Sequence, residues 1–156
     1  MTGLIDFKRG MVGRILDNKY VLQKPIGAGG MGSVYRGIQL GTQARVAVKL
    51  LSREAPGETI TSRFRQEAEM TARLTHPNTV RLLDFGVDES LFFLVTEYLA
   101  GTDLTRFLRS GGQPDNFLVH VLFQIVGSLA EAHSKGVIHR DIKPNNIMLI
   151  HHVGWP

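Results

Sequence analysis

The feature that most constrains this chain is a glycine cluster. Gly27-Ala28-Gly29-Gly30-Met31-Gly32 lies between two β-rich runs, Tyr20–Ile26 and Val34–Gln39. Such a cluster between short strands predicts a hairpin with a long loop that lets other groups approach its backbone closely. Val46-Ala47-Val48-Lys49-Leu50-Leu51 reads as a third strand, reached through Gly41, and Pro56-Gly57 breaks the chain after it. Ile60, Phe64, Ala68 and Thr71 then recur at spacings of four, four and three, which places them on one face of a helix. His76-Pro77-Asn78 ends that helix. Val80–Val87 and Leu91–Tyr98, joined by Asp88-Glu89-Ser90, read as two more strands. The expectation is an α+β fold that begins with a five-stranded antiparallel sheet carrying one helix.

The pattern changes after Tyr98. Ala100-Gly101-Thr102 reads as a linker, with Thr102 placed to cap a short helix, and Pro114-Asp115 opens a longer one. Phe117, Leu118, Val121, Leu122, Ile125, Val126 and Leu129 recur as pairs four apart, a continuous apolar helical face. Gly136 suits the residue just past that helix. Val137-Ile138 and Ile147–Ile150 bracket a polar loop. The chain therefore divides into a lead-in over 1–18 without clear period, a β-rich part over 19–97 and a helical part over 98–156.

Composition narrows the classes. A chain of 156 residues with 43% hydrophobic and 21% charged residues has the make-up of a globular domain. With no cysteine, disulfides, cysteine-ligated zinc and iron–sulfur clusters are excluded. The net charge of +4 is spread along the chain, without the clustering a nucleic-acid binder shows. Asp6, Lys8 and Arg9 precede any apolar stretch, unlike a secretory signal, and no apolar run approaches the roughly 20 residues of a membrane span. These readings predict a cytoplasmic protein with no nucleic acid among its partners and no membrane segment.

Three constellations carry chemistry. In Gly27-x-Gly29-x-x-Gly32, backbone N–H groups are free to wrap phosphate oxygens. An ordinary turn fits the same glycines; a dinucleotide loop does not, since a strand follows rather than a helix and position 49 holds lysine instead of an acid. Lys49, mid-strand among apolar neighbours, either faces solvent or holds an anion; beneath a glycine loop it suits nucleotide phosphates. Glu67 shares the inward half of its helix with Phe64 and Ala68 and is placed to steady that lysine, whereas Glu69 points to solvent. The most specific stretch is His139-Arg140-Asp141-Ile142-Lys143-Pro144-Asn145-Asn146. There a carboxylate accepts a hydroxyl proton, a lysine two residues on neutralises a transferring phosphoryl group, and an asparagine five residues on ligates Mg2+.

Taken together, Ile26–Val34, Val46–Lys49 and His139–Asn146 resemble the motifs of the eukaryotic-like protein kinases, in particular the bacterial serine/threonine type, in the order that family has them. The resemblance spans Tyr20 to Leu149 and implies a protein-kinase-like small lobe followed by the start of the helical large lobe. It implies ATP and Mg2+ as cofactors and a protein substrate. By resemblance, Gly27, Ala28, Gly29, Gly30, Met31, Gly32 and Ser33 form the loop over ATP. Lys49 is the phosphate-binding lysine, with Glu67 its ion-pair partner. Ile26, Val34, Ala47 and Met148 match adenine-pocket positions and Thr96 the gatekeeper. Glu97 to Leu99 match the hinge, and Asp103 the ribose-contacting acid. Asp141 matches the catalytic base, Lys143 the catalytic-loop lysine of the serine/threonine class, and Asn146 a Mg2+ ligand.

The chain departs from the family after Leu149. It continues Ile150-His151-His152-Val153-Gly154-Trp155-Pro156, with no Asp-Phe-Gly and no aspartate after Asp141. The expectation is a kinase catalytic-domain fragment that by itself transfers phosphate weakly or not at all. Its helix face over 117–129, left without the helices that would pack on it, is a surface for self-association. The alternative is a non-catalytic ATP-binding or partner-binding module, favoured by the missing metal aspartate and opposed by the presence of Lys49, Asp141, Lys143 and Asn146 together. A small-molecule phosphotransferase fits the Asp141–Lys143 spacing less well.

Overall fold

The computed structural model describes residues 10–29, 32–51, 58–89, 91–111 and 116–150. The residues expected to break the chain at 56–57 and to open the long helix at 114–115, and those from His151 onward, lie outside these. The described residues form two compact units. One comprises the chain up to Arg73 together with Val80–Tyr98; the other comprises Leu74–Thr79 together with the chain from Leu99 onward. The chain passes from one unit to the other after Tyr98, and the turn at His76-Pro77-Asn78 belongs to the second unit and not to the β-rich one.

The first unit is built from β1 (Ile15–Leu16), β2 (Tyr20–Gly29), β3 (Gly32–Gln39), β4 (Arg45–Leu51), α1 (Glu58–Ala72), β5 (Leu82–Asp88) and β6 (Leu91–Glu97). The strands make one antiparallel sheet in the order β1-β2-β3-β4-β6-β5. It has six strands where the sequence pattern gave five. The extra strand lies in the stretch read as a loose lead-in, because two residues are too few to show a period of two. Alternation along β4 buries Val46, Val48 and Leu50 against Leu16, Tyr20, Leu22, Tyr35, Phe93 and Val95. The sheet curls until its opposite edges meet. Arg14 reaches Asp88 at 3.0 Å and Glu89 at 2.8 Å, and the Tyr20 hydroxyl donates to Asp84 at 2.9 Å. Burial and the neighbouring Asp84 carboxylate push the Tyr20 phenol well above its ordinary range. Helix α1 covers the β5–β6 end of the other face, where Phe64 packs on Phe85 and Phe92 with ring centroids 6.1 and 4.9 Å away.

The second unit contains β7 (Gly101–Asp103), α2 (Leu104–Arg109), α3 (Phe117–Ser134), a single 3-10 turn (Pro144–Asn146) and β8 (Met148–Ile150). Gly101 and Thr102 are not a linker; they pair as a strand with Ile150 and Leu149. The cap of α2 is Asp103, whose Oδ1 accepts from Arg106 N at 2.9 Å, and not Thr102. A carboxylate one residue later reaches the same orphan amide and adds its charge at the positive end of the helix. Past α3, Gly136 adopts φ +75° as expected. Val137 N donates to Ala132 O and Gly136 N to His133 O, the paired bonds of a Schellman ending.

The apolar face of α3 is split. Phe117 and Val121 are buried with Leu104, and Ile125, Ile147 and Leu149 pack against them. Leu122, Phe123 and Val126 are 56, 74 and 61% exposed. By length and composition α3 is apolar enough to cross a membrane, which no uninterrupted apolar run in the sequence suggested. Its polar side chains are nevertheless engaged within the unit. Glu131 accepts from Thr75 N, from the Thr75 hydroxyl at 3.0 Å, from His76 N at 2.9 Å and from Lys135 at 2.7 Å. Gln124 accepts from Asn78, and Ser128 bonds Thr79. Lys135 chiefly, then the backbone amide of His76, holds the Glu131 carboxyl down at about 2.

Candidate nucleotide-binding and catalytic residues

In the first unit, register places the candidate residues on one sheet face. Gly27 pairs with Val34, Val34 with Lys49, and Lys49 with Leu94, while Ala47 pairs with Arg36 and Thr96. Cross-strand partners share a face and residues two apart along a strand share it too. Gly27, Val34, Ala47, Lys49 and Thr96 therefore stand together, opposite the buried Val46-Val48-Leu50 side. The glycine hairpin continues the ladder through Ala28 with Ser33 and Gly29 with Gly32, and Ile26 is exposed beside it. Gly30 and Met31, at the loop tip, lie outside the described residues. At Gly32 the chain has φ +133°, and a Cβ there would sit 1.9 Å from the Leu50 carbonyl oxygen. No residue other than glycine fits, so β3 begins pressed close to β4.

Lys49 is half-buried, and among the described residues it has no ion-pair partner. The expected Lys49–Glu67 pair is not formed, and Glu67 is exposed rather than inward. The physical reason is helical phase. Phe64 and Ala68 face the sheet, and Glu67 lies about 60° from Phe64 and about 100° from Ala68 around the helix, at the rim of that face. Glu69 is exposed, as its position predicted. Glu97 ends β6 with its carboxylate accepting from Arg81 N at 2.8 Å, so its side chain braces the start of β5.

The second unit gathers the remaining residues. Leu99 precedes β7, and Asp103 and Met148 face each other across the β7–β8 ladder. One oxygen of Asp103 is committed to the helix cap, a use the sequence reading did not foresee. Asp141 sits in the loop before the 3-10 turn. Lys143 Nζ lies 2.9 Å from its Oδ1, and Asn146 Nδ2 donates to its Oδ2 at 2.9 Å and to its backbone oxygen at 2.8 Å. Hydrogen bonds from Lys143 first and Asn146 second hold the Asp141 carboxyl below its ordinary value. Just before it, Arg140 takes φ +61°, uncommon for a residue with a Cβ, and Asp141 N donates to His139 Nδ1 at 3.3 Å. The three side chains singled out in this stretch thus meet at hydrogen-bond distance. With both amide hydrogens of Asn146 directed to Asp141, its side-chain oxygen is left to accept from, or ligate, something else. Among the described residues no group of three metal-binding side chains occurs.

Two residues absent from the sequence reading bear on this region. Thr105 donates to the Asn145 side chain, and Glu131 anchors the 75–76 backbone. A helix-surface threonine and a carboxylate among apolar neighbours carry no spacing signal; their partners lie 40 and 56 residues away along the chain.

Comparison with known proteins bears on family and fold. The family model described as the protein kinase domain matches residues 20–153. Serine/threonine-protein kinase pkn3 of Myxococcus xanthus is 40% identical over 141 residues, covering 88% of this chain and 26% of that protein. PrkC of Bacillus subtilis is 35% identical over 144 residues, covering 90% and 22%. The chain therefore spans about a quarter of the length of these relatives. Among solved structures, the PknI kinase domain of Mycobacterium tuberculosis superposes with a TM-score of 0.78 at 28% identity, covering 89% of this chain and 57% of that one.

Proposed function

We propose, from the fact that this chain belongs to the protein kinase domain family, that it carries the ATP-binding and phosphoryl-transfer residues of a bacterial protein serine/threonine kinase. The observation that carries this reading is the meeting of Asp141, Lys143 and Asn146 at 2.8 to 2.9 Å. The chain's residues fit the cofactors. Gly32 lets β3 begin close against the Leu50 carbonyl, and Lys49 is a cation without a partner among the described residues. The side-chain oxygen of Asn146 is a suitable hard donor for Mg2+. When bound, Mg2+ neutralises charge on the phosphates.

The protein's part is positioning. The amides of the hairpin from Gly27 to Gly32 hold phosphate oxygens, and Lys49 offsets their charge. In the first unit, Ile26, Val34 and Ala47 supply apolar surface for a base, and the backbone of Glu97 and Tyr98 offers hydrogen bonds; Leu99 and Met148 belong to the second unit. Asp103 keeps one oxygen for a ribose hydroxyl. Asp141, ionised, accepts the proton of a serine or threonine hydroxyl, and Lys143 beside it stabilises the charge that develops on the phosphoryl oxygens. A polypeptide of these 156 residues offers Asn146 to a metal but no aspartate after Asp141. By itself it is expected to bind ATP and transfer phosphate weakly.

The test is ATP binding together with phosphate transfer to protein, for this polypeptide and for the complete gene product. Lys49→Met should lower ATP affinity at least tenfold, and Asp141→Asn should abolish transfer while leaving binding within about twofold. Undiminished binding in Lys49→Met would overturn the reading. The unpaired Lys49 and exposed Glu67 favour a second reading, a non-catalytic ATP-binding module. ATP binding without turnover in the complete gene product would select it. The exposed stripe of α3 further leads us to propose self-association of the 156-residue polypeptide.

A further inference from the structure

We infer that Thr105 and Asn145 form a positioning pair, which holds the 3-10 turn so that the side-chain oxygen of Asn146 faces a metal while its amide stays on Asp141. The inference rests on the reading of Asn146 as a metal ligand. The hydroxyl of Thr105, in the first turn of α2, donates to Oδ1 of Asn145, the residue immediately before Asn146. On the other side of the turn, Leu104 N donates to Ile147 O at 2.8 Å, and Asp103 pairs with Met148. Three consecutive residues of the β7–α2 junction thus grip the segment that carries Asn146.

The turn has little order of its own. Its internal bonds are Asn146 N to Lys143 O at 2.9 Å and Ile147 N to Pro144 O at 3.2 Å. Pro144 has no amide to give, and Lys143, at the N-cap, makes no side-chain cap bond. A three-residue 3-10 turn with weak hydrogen-bond geometry takes its orientation from its attachments. Among the described residues, the Thr105–Asn145 bond is the one side-chain hydrogen bond that ties this turn to α2. The backbone attachments at 147 and 148 fix where the turn ends. They leave rotation about its own axis free, and that rotation is what would swing Asn146 off Asp141. Asn145 resists it through Thr105. Neither residue is among those assigned above to nucleotide, metal or proton; both act through Asn146.

Thr105→Val keeps the side-chain shape and removes the donor, and Thr105→Ser keeps the donor. The first readout needs no ligand. In 15N-labelled full chain, the two Nδ2 hydrogens of Asn146 should shift and exchange faster in Thr105→Val and return to wild-type behaviour in Thr105→Ser. The second is the Mg2+ dependence of fluorescent ATP-analogue binding. The half-saturating Mg2+ concentration should rise about fivefold, the loss expected of one hydrogen bond, with Mg2+-free affinity unchanged. Asn145→Ala should reproduce both effects, and the double variant should exceed neither single one. Wild-type Asn146 resonances in Thr105→Val, or additive effects in the double variant, would overturn the inference. Wild-type chain that binds the analogue without regard to Mg2+ would sink the metal reading instead, while the Asn146 resonances still decide whether the pair positions the turn.

Discussion

Individual residues in this chain are constrained by what lies within an atom's reach of them. Gly32 is the sharpest case, with a carbonyl oxygen standing where a Cβ would go and a φ that side chains avoid. Gly32→Ala should destabilise by at least about 1–3 kcal/mol from backbone strain alone. Urea unfolding would measure this, and an unchanged midpoint would show that the start of β3 can shift away from β4. Asp141 illustrates electrostatic constraint. Its carboxyl is held low mainly by Lys143, so it remains a carboxylate further into acid than an unpartnered aspartate would. Lys143→Met removes the larger cause and should raise the Asp141 pKa toward its ordinary value, so that protonation begins at higher pH. Carbon-13 titration of the Asp141 carboxyl follows this directly. Asn146→Ala, removing the second cause, should move it the same way by less. Both residues stand in a motif that the amino-acid order displays. What the order does not display is that Asn146 spends both amide hydrogens on Asp141.

At the scale of elements, the chief surprise is where the segment 74–79 is fastened. Following α1 in the chain, it belongs with α3, held by Glu131, Gln124 and Ser128. His76 also packs so near Gly127 that a Cβ there would lie 2.9 Å from its ring nitrogen. Glu131 is lowered from an ordinary 4.5 to about 2. A depressed carboxyl adds stability above its unfolded pKa and loses it as pH falls toward its folded one. The contribution of Glu131 should therefore be whole above about 4.5 and fade between 4.5 and 2. Glu131→Gln should lower Tm at neutral pH, and the gap from wild type should close on titration across that window. A gap that stays constant with pH would mean that the loss does not come from the ionised carboxylate. The elements themselves were mostly readable. The glycine hairpin, the third strand, α1, α3 and the Gly136 ending all follow local spacing or capping chemistry. β1 and β7 did not show because strands of two and three residues exist only through their partners.

At the scale of the whole molecule, the candidate residues are shared out between two compact units. One presents a sheet face with Lys49 under a glycine hairpin, and the other presents Asp141, Lys143 and Asn146. The exposed side of α3, with Leu122, Phe123 and Val126 in a row, is the largest departure from a finished surface among the described residues. If it drives self-association of the 156-residue polypeptide, Phe123→Glu with Val126→Glu should shift sedimentation toward monomer without lowering Tm, since both side chains lie outside the packed stripe. Unchanged sedimentation would assign association elsewhere. The amino-acid order by itself determined the α+β class, the hairpin, the change of pattern after Tyr98 and the Asp141–Lys143–Asn146 spacing. It could do so because each is local: a few neighbouring residues supply period, turn or reach. Tertiary structure alone decided that Glu67 is exposed and unpaired with Lys49, that Asp103 caps α2, that the sheet's edges meet through Arg14 and Tyr20, and that Thr105 holds Asn145. Each of those depends on the rotational phase of a helix or on partners distant in the chain, and spacing along a sequence carries neither.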